Sequence, residues 1–270
     1  MVAQQARSLT QWILLLSLGL VAGFLSGMFG VGGGILVVPG LIAVLHFPPK
    51  LAAGTSLAAI VPLASVGVIS YAVHGSVSWW GALALAIGAM IGARIGTRLL
   101  VRIEPGPLQM AFSVFMLFAV VSMFLVVPDR GAALVFTPLT AVALIVVGVV
   151  TGILSGLFGV GGGVIVVPAL MLLFGAGDLI ARGTSLLMMI PAALIGTVSN
   201  VKNQNVDLTA ALAVGIPACL TTFLGSRAAA TVSPEVANML FAIFLTLVAI
   251  HLFVSVVRKR RQNSHEDPQG

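Results

Sequence analysis

The sequence predicts an all-α integral membrane protein built from two inverted repeats, each a glycine-broken helical hairpin followed by three transmembrane helices. Three observations lead there. Of 270 residues, 59% are hydrophobic and only 7% charged, with a mean hydropathy of +1.18; a soluble domain carries about 25% charged residues. Charged side chains are missing from residues 8–49, 51–93, 131–177 and 236–257, stretches long enough for the roughly 20 apolar residues that one helical crossing needs. Finally, GFLSGMFGVGGGILVVP at residues 23–39 returns as GILSGLFGVGGGVIVVP at 152–168.

That return fixes the organisation. The offset of 129 also pairs Gly54-Thr55-Ser56-Leu57 with Gly183-Thr184-Ser185-Leu186, Pro62 with Pro191, Gly96 with Gly225 and Arg98 with Arg227, the mark of an internal repeat. The first repeat covers 12–127, a linker 128–140, the second repeat 141–257, and a basic, polar tail 258–270. An apolar start behind Arg7 has the look of a signal peptide. Its counterpart at 141–158 lies deep inside the chain, so it is expected to be retained.

Each repeat opens with the broken stretch. Residues 12–47 would make a helix of about 54 Å, too long for a hydrocarbon core of about 30 Å, while 35–47 alone reach only about 20 Å. A hairpin broken at the glycines fits. Cleaner spans follow at 51–73, 79–101 and 107–127, repeated at 184–200, 207–226 and 236–257. Glycines 88, 92 and 96 give one of these spans a close-packing face.

Charge sets the orientation, because Lys and Arg favour cytoplasmic loops. With Arg258, Lys259, Arg260 and Arg261 inside, and with each hairpin returning to its starting side, Arg7, Lys50, Arg94, Arg98, Arg102 and Lys202 also fall inside. The loops at 74–78, 178–182 and 227–235 fall outside. The copies then run in opposite senses, and both termini are cytoplasmic. The net charge of +6 is thereby a membrane signature, and no nucleic-acid partner is expected. One cysteine, Cys219, leaves no disulfide framework or Cys-based metal site. Four scattered His residues and the absence of a nucleophile elbow point away from an enzyme, and no cofactor is expected.

The chemistry concentrates at the glycine runs. Gly30, Gly32, Gly33 and Gly34, with Gly159, Gly161, Gly162 and Gly163, interrupt helix-like sequence at matching places. Glycine there permits unusual backbone angles and lets several N–H groups face one point, with the positive end of a new helix dipole behind them. Broken helices at matching places in two halves mark a transporter's midplane site. Close packing of helices is the competing role. Neither run continues into Lys-Ser or Lys-Thr, so neither is a P-loop. Thr55, Ser56, Thr184 and Ser185 are read as opening the next helix and facing the glycine turns, with simple capping as the alternative. Asn200 and Asn203, at the positions of Tyr71 and His74, are candidates to line an access path. Asp178 and Arg182, four apart, read as a surface pair, and no acidic residue falls within a predicted span.

The doubled SGMFGVGGGILVVP and SGLFGVGGGVIVVP, each followed by GTSL and a later proline, resemble the TauE/SafE family of sulfite exporters over about 12–257. The resemblance implies a bacterial inner-membrane permease for sulfite, sulfoacetate, sulfonates or related sulfur oxyanions, with the glycine motifs in the transport path. The expected partners are therefore a small anionic substrate and the lipid bilayer; the sequence sets no oligomeric state, direction or coupling ion.

Overall fold

The computed structural model describes residues 7–124 and 134–233 and, in part, 235–250. Every element there is a helix: α1 (Leu9–Phe29), α2 (Gly34–Leu45), α3 (Pro49–Val73), α4 (Trp79–Arg102), α5 (Pro105–Phe124), α6 (Pro138–Phe158), α7 (Gly163–Phe174), α8 (Asp178–Lys202) and α9 (Leu208–Thr231). By length and composition α1, α3, α4, α6, α8 and α9 can cross a membrane, whereas α2 and α7, of 12 residues each, are too short. The predicted span 236–257 is described only in part, and helical where described. Residues 125–133 and the tail 258–270 lie outside the described residues.

Equivalent sequences build equivalent local structure, down to the caps. Ser8 accepts from the Gln11 amide to open α1, and its counterpart Thr137 accepts from Thr140 to open α6. Such boxes satisfy amides that a helix start leaves unpaired. Ser78 and Asp207, again equivalent, cap α4 and α9.

Two seams hold the bundle, and they are one seam made twice. Along α1, Gly19, Gly23 and Gly27 face Val214, Ala218 and Thr222 of α9; along α4, Gly88, Gly92 and Gly96 face Ile145, Val149 and Ile153 of α6. Both pairs therefore run parallel. A Cβ on Gly23 would stand 2.2 Å from the Ala218 oxygen, and one on Gly92 would stand 2.1 Å from that of Val149, so backbone rests on backbone, as in small-residue helix contacts in lipid. The far side of α4 exposes Leu83, Ile87, Ile91, Ile95 and Leu99, one apolar stripe at four-residue spacing. Trp79 and Trp80 stand exposed at its start, where interfacial aromatics belong.

Between the seams α3 and α8 cross antiparallel. Gly54 lies against Asn200 and Asn205, Gly196 against Leu57, Gly67 against Leu186, and Gly183 against Tyr71 and Ser76. The starts of α1 and α3 share one end of the bundle: Arg7 forms an ion pair with Asp207, and the Asp207 amide donates to Thr55 Oγ1 at 3.0 Å. The chain thus leaves that end in α1 and is back there to begin α3. Lys50 Nζ, also near the start of α3, donates to the Val101 carbonyl at 2.8 Å, close to Arg102. The opposite end gathers the loop at 74–78, the start of α8 and the end of α9 around one cavity. On the outside of the bundle α5 is anchored by Phe112 and Phe115, each with its ring centroid 5.3 Å from that of Phe158.

Candidate functional site

The two glycine runs become the two places where a helix stops and a new one starts. Gly30 ends α1 in the left-handed region (φ 70°) and its amide donates to Ser26 O at 2.8 Å; Gly159 ends α6 likewise (φ 73°), donating to Ser155 O at 2.8 Å. Gly32, Gly33, Gly161 and Gly162 also have φ between 67° and 93°, angles that cost other residues about 1–2 kcal/mol each. The new helices start at Gly34 and Gly163, one residue earlier than their apolar sequence suggests.

These turns lie against each other. A Cβ on Gly34 would stand 2.5 Å from Gly159 O, and one on Gly163 would stand 2.5 Å from Gly30 O, the same contact in both directions. Ile60 of α3 and Met189 of α8, near the helix middles, flank both turns. All ten residues of the two runs are buried. Close packing, the competing role for the glycines, is therefore real.

Packing leaves the polar groups unpaired, however. In the first turn Gly34, Leu36 and Val37 find short-range backbone acceptors, but the amides of Val31, Gly32, Gly33 and Ile35 have none among the described residues. In the second turn Ile165 and Val166 are satisfied and Val160, Gly161, Gly162, Gly163 and Val164 are not. Buried N–H groups without partners are rare and cost about 1–3 kcal/mol each. Two hydroxyls join them. Ser26 and Ser155, 1% and 2% exposed, stand in the last turns of α1 and α6 beside Gly33 and Gly162, and neither Oγ has a hydrogen-bond partner. The two turns thus hold buried, unpaired N–H groups at two helix starts, an arrangement electrostatically suited to an anion.

Sequence reasoning passed over Ser26 and Ser155. Both stand in the doubled SG(M/L)FGVGGG motif, so recurrence at the 129 offset was the available signal. The predicted hydroxyls divide. Ser56 Oγ donates to Gly159 O at 2.8 Å and so belongs to the turns; the equivalent Ser185 is buried, its Oγ without a partner among the described residues. Thr55 and Thr184 instead accept from the Asp207 and Ser78 amides, at 3.0 and 2.9 Å, and so tether the loop at 203–207 and the loop at 74–78. None of the four opens a helix, because α3 begins at Pro49, a proline suited to a first helical position, and α8 at Asp178.

Asn200 is fully buried on α8; its Nδ2 donates to Gly196 O at 2.9 Å and its Oδ1 is unpartnered. Asn203 lies exposed at the end of that helix, apart from the turns. Lys202, Arg94, Arg98 and Arg102 are exposed, as expected of cations that reach to an interface.

Asp178 and Arg182 are not a surface pair. They are 0% and 2% exposed, and Asp178 is the first residue of α8, so a carboxylate does sit in a membrane-length helix. Burial follows from position: the Arg182 stem lies over Gly30, and its Nη1 donates to Met28 O at 2.8 Å. On the adjacent carbonyl, Gly27 O, the Tyr71 phenol donates at 2.7 Å. The C-terminal carbonyls of α1 are thus filled, with a cation at the negative end of the dipole.

A family model described as "Sulfite exporter TauE/SafE" matches residues 14–252. Among similar proteins, "Probable membrane transporter protein YunE" of Bacillus subtilis is 28% identical, over 89% of this chain and 97% of its own length. A "Probable membrane transporter protein" of Xylella fastidiosa is 30% identical over 87% and 92%, and one of Methanocaldococcus jannaschii 25% identical over 89% and 95%. No solved structure matches.

Proposed function

The chain belongs to the TauE/SafE family of membrane transporters, and from that premise we propose that it moves a small sulfur oxyanion, such as sulfite, sulfoacetate or another sulfonate, by alternating access. The anion is held between the two glycine turns by the unpaired amides of Val31, Gly32, Gly33 and Ile35 and their counterparts, with the hydroxyls of Ser26, Ser155 and Ser185. The observation that carries this reading is the set of buried, unpaired N–H and O–H groups at both turns. An oxyanion supplies the missing acceptors without requiring many buried cations.

The two repeats are read as inverted across the bilayer. The antiparallel crossing of the equivalent helices α3 and α8 supports this, as does the return of α1–α2 to the end where α1 began. That end, gathering Arg7, Lys50 and Lys202, is assigned to the cytoplasm by its basic residues, and with it both termini. The cavity end faces out, and the membrane is the cell membrane. Inversion lets the same contacts form on either side of the turns as one repeat rocks against the other. Asn203, Thr55 and Thr184 are left out of the binding site.

Purified protein in vesicles, assayed with sulfite, thiosulfate, sulfoacetate and taurine, tests the proposal. Saturable, gradient-driven flux of at least one anion is expected. Flux that never saturates would mark a passive pore, and no movement of any of them would remove the substrate class.

A further inference from the structure

We propose that Arg182 is the charged contact of the anion at the first glycine turn, and that Asp178 holds the guanidinium until the anion takes its place. The inference rests on the transport reading above and adds a residue that the glycine turns alone do not supply.

The two halves make the same contact with different residues. Gly30 packs on Arg182, with a Cβ there 2.5 Å from the Arg182 Cβ; Gly159 packs equally closely on Ala53, 2.5 Å from its Cα. Ala53 is the repeat counterpart of Arg182, and Pro49 that of Asp178. The same backbone contact is thus made in the first half with no charge at all. Folding of the turn does not require the ion pair.

A buried ion pair loses more in desolvation than it gains unless its geometry is tight and its spare groups are hydrogen-bonded. Strong arginine–carboxylate pairs close to about 2.7–2.9 Å, often through two parallel bonds. Here Arg182 Nη2 stands 3.3 Å from Asp178 Oδ2, and both carboxylate oxygens are buried without a hydrogen-bond partner. Arg182 Nη1 donates to Met28 O and the Tyr71 phenol hydrogen-bonds the same guanidinium, which occupies part of its five N–H donors. The remaining donors suit a planar or pyramidal oxyanion better than this loose contact suits Asp178.

A cavity of about 390 Å³ opens at this end of the bundle, lined among others by Ser70, Tyr71, His74, Leu179, Ser226 and Arg227, with no acidic residue on its wall among the described residues. Leu179 is the neighbour of Asp178, and the Tyr71 phenol lies beside both members of the pair. Arg227 and Tyr71 line the cavity, and Arg182 lies beyond its wall, beside Tyr71. Only one half carries the pair, so the two sides of the site differ in charge.

Sulfite binding to the purified protein by calorimetry tests this with two neutral variants. Asp178→Asn/Arg182→Gln keeps size and removes both charges; Asp178→Pro/Arg182→Ala installs the residues that the first half already folds with. Both are expected to stay monodisperse and to bind sulfite at least about tenfold more weakly, the loss of one charged hydrogen bond. Asp178→Asn alone is expected to bind at least as tightly as the wild type, because the competing carboxylate is gone. Wild-type affinity in either folded neutral variant, or loss of binding in Asp178→Asn with the fold retained, overturns the role of the pair while leaving the glycine-turn site standing. Absence of sulfite, sulfoacetate and thiosulfate binding by the wild type overturns both.

Discussion

Gly34→Ala is the sharpest perturbation of the paired turns. The added Cβ would stand 2.5 Å from Gly159 O and 2.8 Å from the Val160 carbonyl carbon, where ordinary contact begins at 3.4 Å. The obstacle is backbone, not a side chain that can swing aside, so the two turns must part by about 0.9 Å, an overpacking that costs about 1–3 kcal/mol. Displacements of about 1 Å at a site that works by positioning cost about 10²-fold. Gly34→Ala is therefore expected to unfold at lower temperature in detergent and to carry sulfite into vesicles roughly a hundredfold more slowly. Gly106→Ala, in α5 with nothing within 4 Å of its Cβ, is the control and should be neutral or stabilise by about 0.5–1 kcal/mol. Wild-type flux and melting in Gly34→Ala would refute the contact between the turns and its part in transport.

Other outcomes follow from the same geometry. Ser26→Ala/Ser155→Ala removes two buried, unpartnered hydroxyls, so stability should hold or rise slightly while sulfite affinity in calorimetry falls about tenfold; unchanged affinity would take both out of the site. Thr55→Val leaves the Asp207 amide without its acceptor and should cost about 1–3 kcal/mol in thermal unfolding with anion affinity intact, the reverse of the serine pattern. Gly23→Leu, against the Ala218 backbone at 2.2 Å, should open the α1–α9 seam and abolish a monodisperse fold by gel filtration. In a Cys219→Ser background, an impermeant thiol reagent added outside cells should label His74→Cys and spare Asn203→Cys; the opposite pattern would reverse the orientation.

Much of the architecture was legible because repetition amplifies weak signals. A single glycine run says little, but two at one offset, each too close to its neighbours for a straight span, require a break and a return. The seam glycines 88, 92 and 96 were readable for the same reason. The Asp178–Arg182 pair was not. Two charges four apart on a helix start look like a solvated pair, and only tertiary contact with Gly30 and Met28 shows that the helix start is buried. Thr55 and Thr184 misled in another way, since a hydroxyl after glycine suggests a cap, whereas the helices begin six residues earlier and the hydroxyls serve loops distant in sequence. Ser26 and Ser155 carry a signal only through their recurrence at the 129 offset; that each hydroxyl lacks a partner among the described residues is visible in the structure alone.

Selenite shares sulfite's shape and charge and scatters anomalously, so crystals of the wild type soaked in it locate the anion directly. An anomalous peak between Gly32–Gly33 and Gly161–Gly162, with the selenite oxygens within hydrogen-bond distance of the unpaired amides, is the predicted result. A selenite that binds in solution but peaks only elsewhere in the crystal would contradict the assignment of the paired glycine turns as the anion site.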